Sequence, residues 1–176
     1  MMPLVRTIRG EMIEFKDFPQ EIHPERLWVE HNLCDFTLDS LRILDLGCGT
    51  HKTRPWFIGV DILPGADYQC SIDHLPFQDR SIDKIVSRHS LEHVLDPIKA
   101  LREWRRVLRP EGKVVIVLPD EGSVPTMQPA LSGGMHLHAY DMASFRNLIE
   151  STGMFTIEKL EIVLEDWSFG AVLAPR

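Results

Sequence analysis

Arg42-Ile43-Leu44-Asp45-Leu46-Gly47-Cys48-Gly49 is an apolar run that stops abruptly at two glycines. The run reads as a β-strand, and the glycines as the turn at its carboxyl end. Where side chains are missing, a ligand can lie directly against backbone amides. A lone Gly-x-Gly is also an ordinary strand-to-loop turn, so the residues downstream decide between the two. Phe57-Ile58-Gly59-Val60-Asp61 reads as a second strand, and it ends in an acid fourteen positions after Gly47. In a parallel pair both strand ends open on one rim, where the Asp61 carboxylate can bridge two ribose hydroxyls. Each such charge-assisted hydrogen bond is worth roughly 1.5–3 kcal/mol, which would make Asp61 a major source of affinity for a nucleoside. The competing reading is that Asp61 caps a turn before Pro64.

Farther along the chain, Asp67 to Ser71 reads as a third, short strand and Ser81 to Ser87 as a fourth. From Pro97 to Leu108 the residues Ile98, Leu101, Trp104, Val107 and Leu108 recur at helical spacing, with Arg109-Pro110-Glu111-Gly112 as the stop. Lys113 to Pro119 is a nearly continuous apolar run, as expected of a strand covered on both faces. A long loop runs to about Tyr140. Asp141 caps a helix through Ser151, Gly153 ends it, and Phe155 to Val163 and Trp167 to Leu173 complete the pattern as strands. The alternation predicts an α/β fold in one compact domain: a Rossmann-like, mostly parallel seven-stranded sheet with an antiparallel last strand. Residues 1–40 form an arm within that domain, with one helix from Pro24 to about Cys34, and residues 41–176 carry the α/β body.

Composition narrows the function. With 19 basic against 26 acidic residues the net charge is -7, the wrong sign for a broad nucleic-acid surface. Three cysteines, an odd number, and no uninterrupted apolar stretch at the N-terminus suggest a reducing cytoplasm. Charged residues break every hydrophobic run short of the roughly twenty residues that span a bilayer, so no membrane association is expected. Lys99, Arg102, Arg106 and Arg109 align on one helical face, which reads as a solvated side more readily than as a phosphate site.

Together with Leu75-Pro76-Phe77 before the fourth strand, Ser90-Leu91-Glu92-His93 after it and Arg106-Val107-Leu108-Arg109-Pro110-Glu111-Gly112 before the fifth, the chain resembles the class I S-adenosylmethionine-dependent methyltransferases over roughly residues 41–120. It is most similar to their small-molecule branch, which includes ubiquinone and sterol methyltransferases. The resemblance implies S-adenosylmethionine as cofactor. Asp45, Gly47, Cys48 and Gly49 would line its methionine and ribose side, with Asp61 on the ribose hydroxyls and Ile62 against adenine. Ser71, Ile72, Asp73 and Arg88 complete the implied cofactor set. Ser71 stands where the family usually has its adenine-edge aspartate, so Asp73 or a backbone group must substitute. The family's third glycine is replaced by His51. Thr50 to Trp56 and Leu63 to Ala66 are too short for the helices usual there, so one sheet face needs another cover, from the N-terminal arm or from a second copy in a homodimer.

The implied activity is direct, in-line methyl transfer to an unidentified small-molecule acceptor. A sulfonium methyl is already activated, and positioning alone can supply roughly 7–11 kcal/mol. A base is required only for a hydroxyl or protonated amine, and histidine suits neutral pH. His93, just beyond the fourth strand, is the first candidate, against the reading that it packs the turn before Pro97. His136 and His138 alternate along an extended segment after the fifth strand, which would turn both rings toward the acceptor. A metal centre from His136 and His138 with His89 or His93 lacks a cysteine pair or an acidic partner in register, so none is expected. Cys48 offers its backbone rather than its thiol. The competing function is a non-catalytic nucleoside-binding or scaffolding protein with a degenerate fold. A nicotinamide dehydrogenase is disfavoured, because its fingerprint needs a third glycine and an acid about twenty residues on.

Overall fold

A computed structural model of the chain describes residues 4–6, 12–14, 23–33, 40–123 and 136–176. In chain order the elements are β1 (Leu4–Arg6), β2 (Met12–Glu14), α1 (Pro24–Leu33), β3 (Ile43–Leu46), β4 (Ile58–Asp61), β5 (Tyr68–Gln69), β6 (Ile82–Arg88), α2 (Pro97–Val107), β7 (Leu108–Pro119), α3 (Met142–Thr152), β8 (Phe155–Leu164) and β9 (Ser168–Pro175). A single 3-10 turn, Leu91–His93, follows β6. β1 and β2 form a separate antiparallel pair that the sequence pattern does not signal. Cys34 and Gly133-Gly134-Met135 lie outside the described residues.

The seven-stranded sheet has the order β5-β4-β3-β6-β7-β9-β8. β3 to β7 pair in parallel, and β9 runs antiparallel to both β7 and β8. The expected mostly parallel sheet with an antiparallel last strand is thus the observed one. β3 lies between β4 and β6, so the strand order reverses there. In open α/β sheets the crevice at the carboxyl ends of such strands is where ligands bind.

Burial follows the sequence pattern, with two exceptions. Val114 to Leu118 of β7 are fully buried, as a strand covered on both faces requires. α2 begins at Asp96, whose side chain accepts the Lys99 amide, and buries Ala100, Leu101, Trp104 and Val107. Ile98, expected on that buried stripe, is 40% exposed, and Ala100 takes its place. The expected stop at 109–112 lies inside β7, because Leu108 already pairs with Ile82 ahead of a register shift. α3 is entered through the Asp141 capping box and left through Gly153 at φ 64. The basic residues around α2 are held by acids of the same chain: Lys99 by Asp73 at 2.9 Å, Arg106 by Glu103 at 2.6 Å, and Arg109 by Asp83.

Residues 47–57 and 62–67 form turns rather than helices. α1 packs on the sheet face concerned, where Val29 and Leu33 join Ile43, Phe57, Val86, Val115 and Val117 in a second core cluster. Fully burying such a side chain contributes about 1.5–3 kcal/mol. The seat is specific. The Trp28 ring lies so close to β9 that a Cβ on Gly170 would fall 2.5 Å from it, while Trp28 Nε1 donates to Glu161 Oε1 at 2.7 Å. Arg54 of the turn binds Glu30 of α1 at 2.5 Å, which ties the helix to the glycine loop's own segment. No described helix is long and apolar enough to cross a membrane.

Candidate active site

At the carboxyl end of β3, Gly47 adopts φ +69, and a Cβ there would sit 2.0 Å from Ser90 Oγ. Only glycine lets the β3 turn and the segment after β6 approach so closely. Gly49, at φ +55, would meet nothing within 4 Å and borders open space. Its amide donates to Asp61 Oδ2 at 2.7 Å, and the Leu63 amide donates to Asp61 Oδ1 at 2.8 Å. Asp61 is therefore both a turn brace and a potential acceptor, since each carboxylate oxygen has a second lone pair to offer a hydroxyl. Asp45 is buried and accepts the Thr53 amide, and burial pushes its carboxyl up. Cys48 lies between the glycines, and its thiol is pushed up to about 11 by burial and by Asp45 and Asp61. It stays protonated at neutral pH and offers no nucleophile.

A cavity of about 250 Å³ opens beside this turn, lined by His23, Glu25, Asp45, Gly47, Cys48, His51, Arg88 and His89. Gly49, Asp61, Ile62, Ser71, Ile72 and Asp73, the remaining expected cofactor residues, do not line it. Ile62 is 68% exposed next to Asp61, an apolar surface on which a flat ring can rest. Ser71 Oγ donates to Asp73 Oδ1 at 2.6 Å and Lys99 holds Asp73 Oδ2 at 2.9 Å, and these two contacts keep the Asp73 carboxyl below its ordinary range. Ile72 sends its side chain into the main core and its carbonyl to Trp104 Nε1 at 2.9 Å, so its side chain is not at the rim.

The end of β6 carries a different chemistry. His89 adopts φ 47, rare for a residue with a side chain, and turns the chain sharply out of the strand. Its Nε2 lies 2.9 Å from Glu25 Oε1 of α1, and its Nδ1 faces Glu92 Oε1 at 3.7 Å. Burial alone would raise the Glu25 carboxyl, but His89 and His23 outweigh it and hold Glu25 at about 2. The same exchange leaves His89 raised: burial opposes its charge, and Glu25 and Glu92 favour it more. Glu92 is 1% exposed, and neither of its carboxylate oxygens has a hydrogen-bond partner among the described residues. Burial pushes its carboxyl up.

His93 and His136 both face Glu92. Their Nε2 atoms lie 3.7 and 4.0 Å from Glu92 Oε1, and the two rings meet edge to face at 4.7 Å. Backbone hydrogen bonds bring them together, because Leu137 and His138 both donate their amides to the Glu92 carbonyl, at 2.8 and 3.1 Å. The expectation that His136 and His138 face one pocket is corrected here. His138 Nε2 bonds the Val94 carbonyl at 2.9 Å and its ring stacks near Tyr140, so it fastens the loop. Sequence reasoning gives Glu92 a place in a motif but no role, and it passes over Glu25. The usable signal is an acid between Leu91 and His93 in a turn that buries its first residue.

The residues present are compatible with S-adenosylmethionine: Gly49 borders open space, Asp61 keeps lone pairs for hydroxyl donors, Ile62 is an exposed apolar surface, and Arg88 lines the cavity. A methyltransferase-domain family model matches residues 44–116. The ubiquinone/menaquinone biosynthesis C-methyltransferase of Vibrio parahaemolyticus is 30% identical, over 82% of this chain and 70% of its own length. The malonyl-[acyl-carrier protein] O-methyltransferase of a Marinomonas species is 36% identical over 47% of this chain and 32% of its own. The chain spans 20% and 32% of the length of two of the curated relatives it matches, and 70% of the Vibrio one. In fold, the chain is similar to an S-adenosylmethionine-dependent methyltransferase of Mesorhizobium loti, with a TM-score of 0.73 at 17% identity, covering 89% of this chain and 100% of that one.

Proposed function

The chain belongs to the class I S-adenosylmethionine-dependent methyltransferases, and from that premise we propose that it transfers the cofactor's methyl group to a small-molecule acceptor. The observation that carries this reading is the interlock at the carboxyl ends of β3 and β4, where Asp61 receives the Gly49 amide at 2.7 Å beside open space. Asp61 binds the ribose hydroxyls there, Ile62 supports the adenine, and Asp73 with Ser71 takes the adenine edge. Asp45 and Arg88, which line the cavity, hold the amino-acid end, with Arg88 on its carboxylate. When bound, S-adenosylmethionine supplies a methyl group activated by its sulfonium, so the protein's task is alignment.

The turn at Leu91–His93 forms the edge at which the acceptor arrives, next to Ser90 and hence to Gly47. His93 and His136 are the groups that meet it. His138 positions the loop through Val94 and takes no proton from the acceptor. The net charge of -7 supports an acceptor without an extended phosphate backbone. Incubation with S-adenosylmethionine and a panel of phenols, quinols, amines and carboxylic acids tests the proposal. Acceptor-dependent release of S-adenosylhomocysteine is expected, with Asp61→Ala needing at least about tenfold more cofactor for the same rate. Cofactor binding without turnover across the panel would favour the scaffolding alternative.

A further inference from the structure

A buried carboxylate normally has donors, because an unpaired charge in the interior is strongly unfavourable. Asp61, Glu25 and Asp45 obey that rule. Glu92 does not: it is 1% exposed and both oxygens lack a hydrogen bond among the described residues, yet it lies under two imidazoles. The ligand-capable atoms of Glu92, His93 and His136 all lie within 4.8 Å of one another. In a tetrahedral centre with ligand bonds of about 2.0–2.1 Å, neighbouring donor atoms stand roughly 3.3 Å apart. The separations from Glu92 Oε1 are 3.7 and 4.0 Å and none of the three exceeds 4.8 Å, so side-chain rotation that draws the two rings together would be needed to reach that value.

The surroundings are built for such a centre. Two amides fasten residues 137 and 138 to the Glu92 carbonyl, and His138 is anchored on Val94, so His136 is presented by a clamped backbone. His89 faces the same carboxylate oxygen at 3.7 Å, and Glu25 at 2.9 Å from its other nitrogen holds the His89 ring in place. The side chain of His93 is 34% exposed, so an ion can reach the group from solvent. We propose that Glu92, His93 and His136 form a three-ligand site for a divalent transition metal of the zinc class, beside the cofactor rim. The acidic partner whose absence argued against a metal in the sequence is Glu92. Two histidines and one carboxylate with an open position make a catalytic rather than a structural donor set. If the methyl-transfer reading holds, the open position takes an oxygen of the acceptor, and the ion replaces a histidine base. Metal binding itself does not depend on that reading.

Untagged protein, stripped with a chelator, is titrated with Zn2+ against a chromophoric competitor and separately with Co2+ followed by visible absorption. One equivalent with micromolar or tighter affinity is expected, together with the ligand-field bands of a low-coordinate Co2+ site. His93→Ala and His136→Ala should each weaken binding by more than about tenfold, while His74→Ala, an exposed histidine elsewhere, leaves it unchanged. If His136→Ala loses its folded circular dichroism, His93→Ala decides, because its partly exposed ring is not part of the core. No saturable binding, or binding undiminished in the two ligand variants, overturns the site. In that event retained S-adenosylmethionine binding would leave the methyltransferase proposal standing.

Discussion

The ends of β4 and β6 carry two buried carboxylates, Asp61 and Glu92, 7% and 1% exposed, whose surroundings differ completely. Asp61 has a backbone amide on each oxygen, so the fold supplies it with donors whether or not a ligand is present. Glu92 has imidazoles near it and, among the described residues, no hydrogen bond on either oxygen. The difference teaches that burial alone does not define a carboxylate's role. A carboxylate completed by amides shapes a turn and greets a neutral hydroxyl, whereas one left to imidazoles is set for a cation.

The contrast can be broken at several points. Gly47→Ala should have the largest effect, since its Cβ would collide with Ser90 at the junction of the two regions and φ +69 is strained for alanine. A loss on the order of 4 kcal/mol in unfolding free energy by denaturant titration is expected. Glu25→Gln should cost about 3 kcal/mol at neutral pH by breaking the buried pair with His89. Because folding lowers the Glu25 carboxyl from 4.5 to about 2, its stabilisation is present above pH 4.5 and is lost as pH falls toward 2. The difference between wild type and Glu25→Gln should therefore shrink over that window, and a constant difference would contradict the pairing.

Asp61→Asn keeps the shape but removes the charge, and should weaken cofactor binding by about tenfold or more while lowering stability by about 1–2 kcal/mol. Glu92→Gln, measured in metal-free protein, should do the opposite and raise stability by about 1 kcal/mol, because it replaces a buried carboxylate whose oxygens have no hydrogen bond among the described residues. Thermal melts of the two variants side by side would show opposite shifts, and shifts of the same sign would erase the contrast. Lys99→Ala, at the exposed pair with Asp73, should change stability by less than about 1 kcal/mol and blunt adenine-edge recognition only slightly.

The strands and α2 are legible in the sequence because their apolar periods are local, and the Gly47 to Asp61 spacing points to the rim proposed for the cofactor. What is illegible depends on contacts distant in sequence. The seat of α1 rests on Trp28 meeting Gly170 and Glu161, and the Glu92 cluster rests on amides from residues 137 and 138. His136 and His138 look equivalent by alternation, and only the Val94 carbonyl separates their roles. Ile98 fits the helical stripe yet faces solvent, because the sheet under the first turn of α2 is met by Ala100 instead.

The most direct test is isothermal titration of the purified chain with S-adenosylmethionine and S-adenosylhomocysteine, with Asp61→Asn titrated in parallel. One-to-one binding in the micromolar range, weakened at least about tenfold in the variant, is the expected result. A folded sample that binds neither compound, or a variant that binds as tightly as wild type, would contradict the assignment of this rim as the cofactor site.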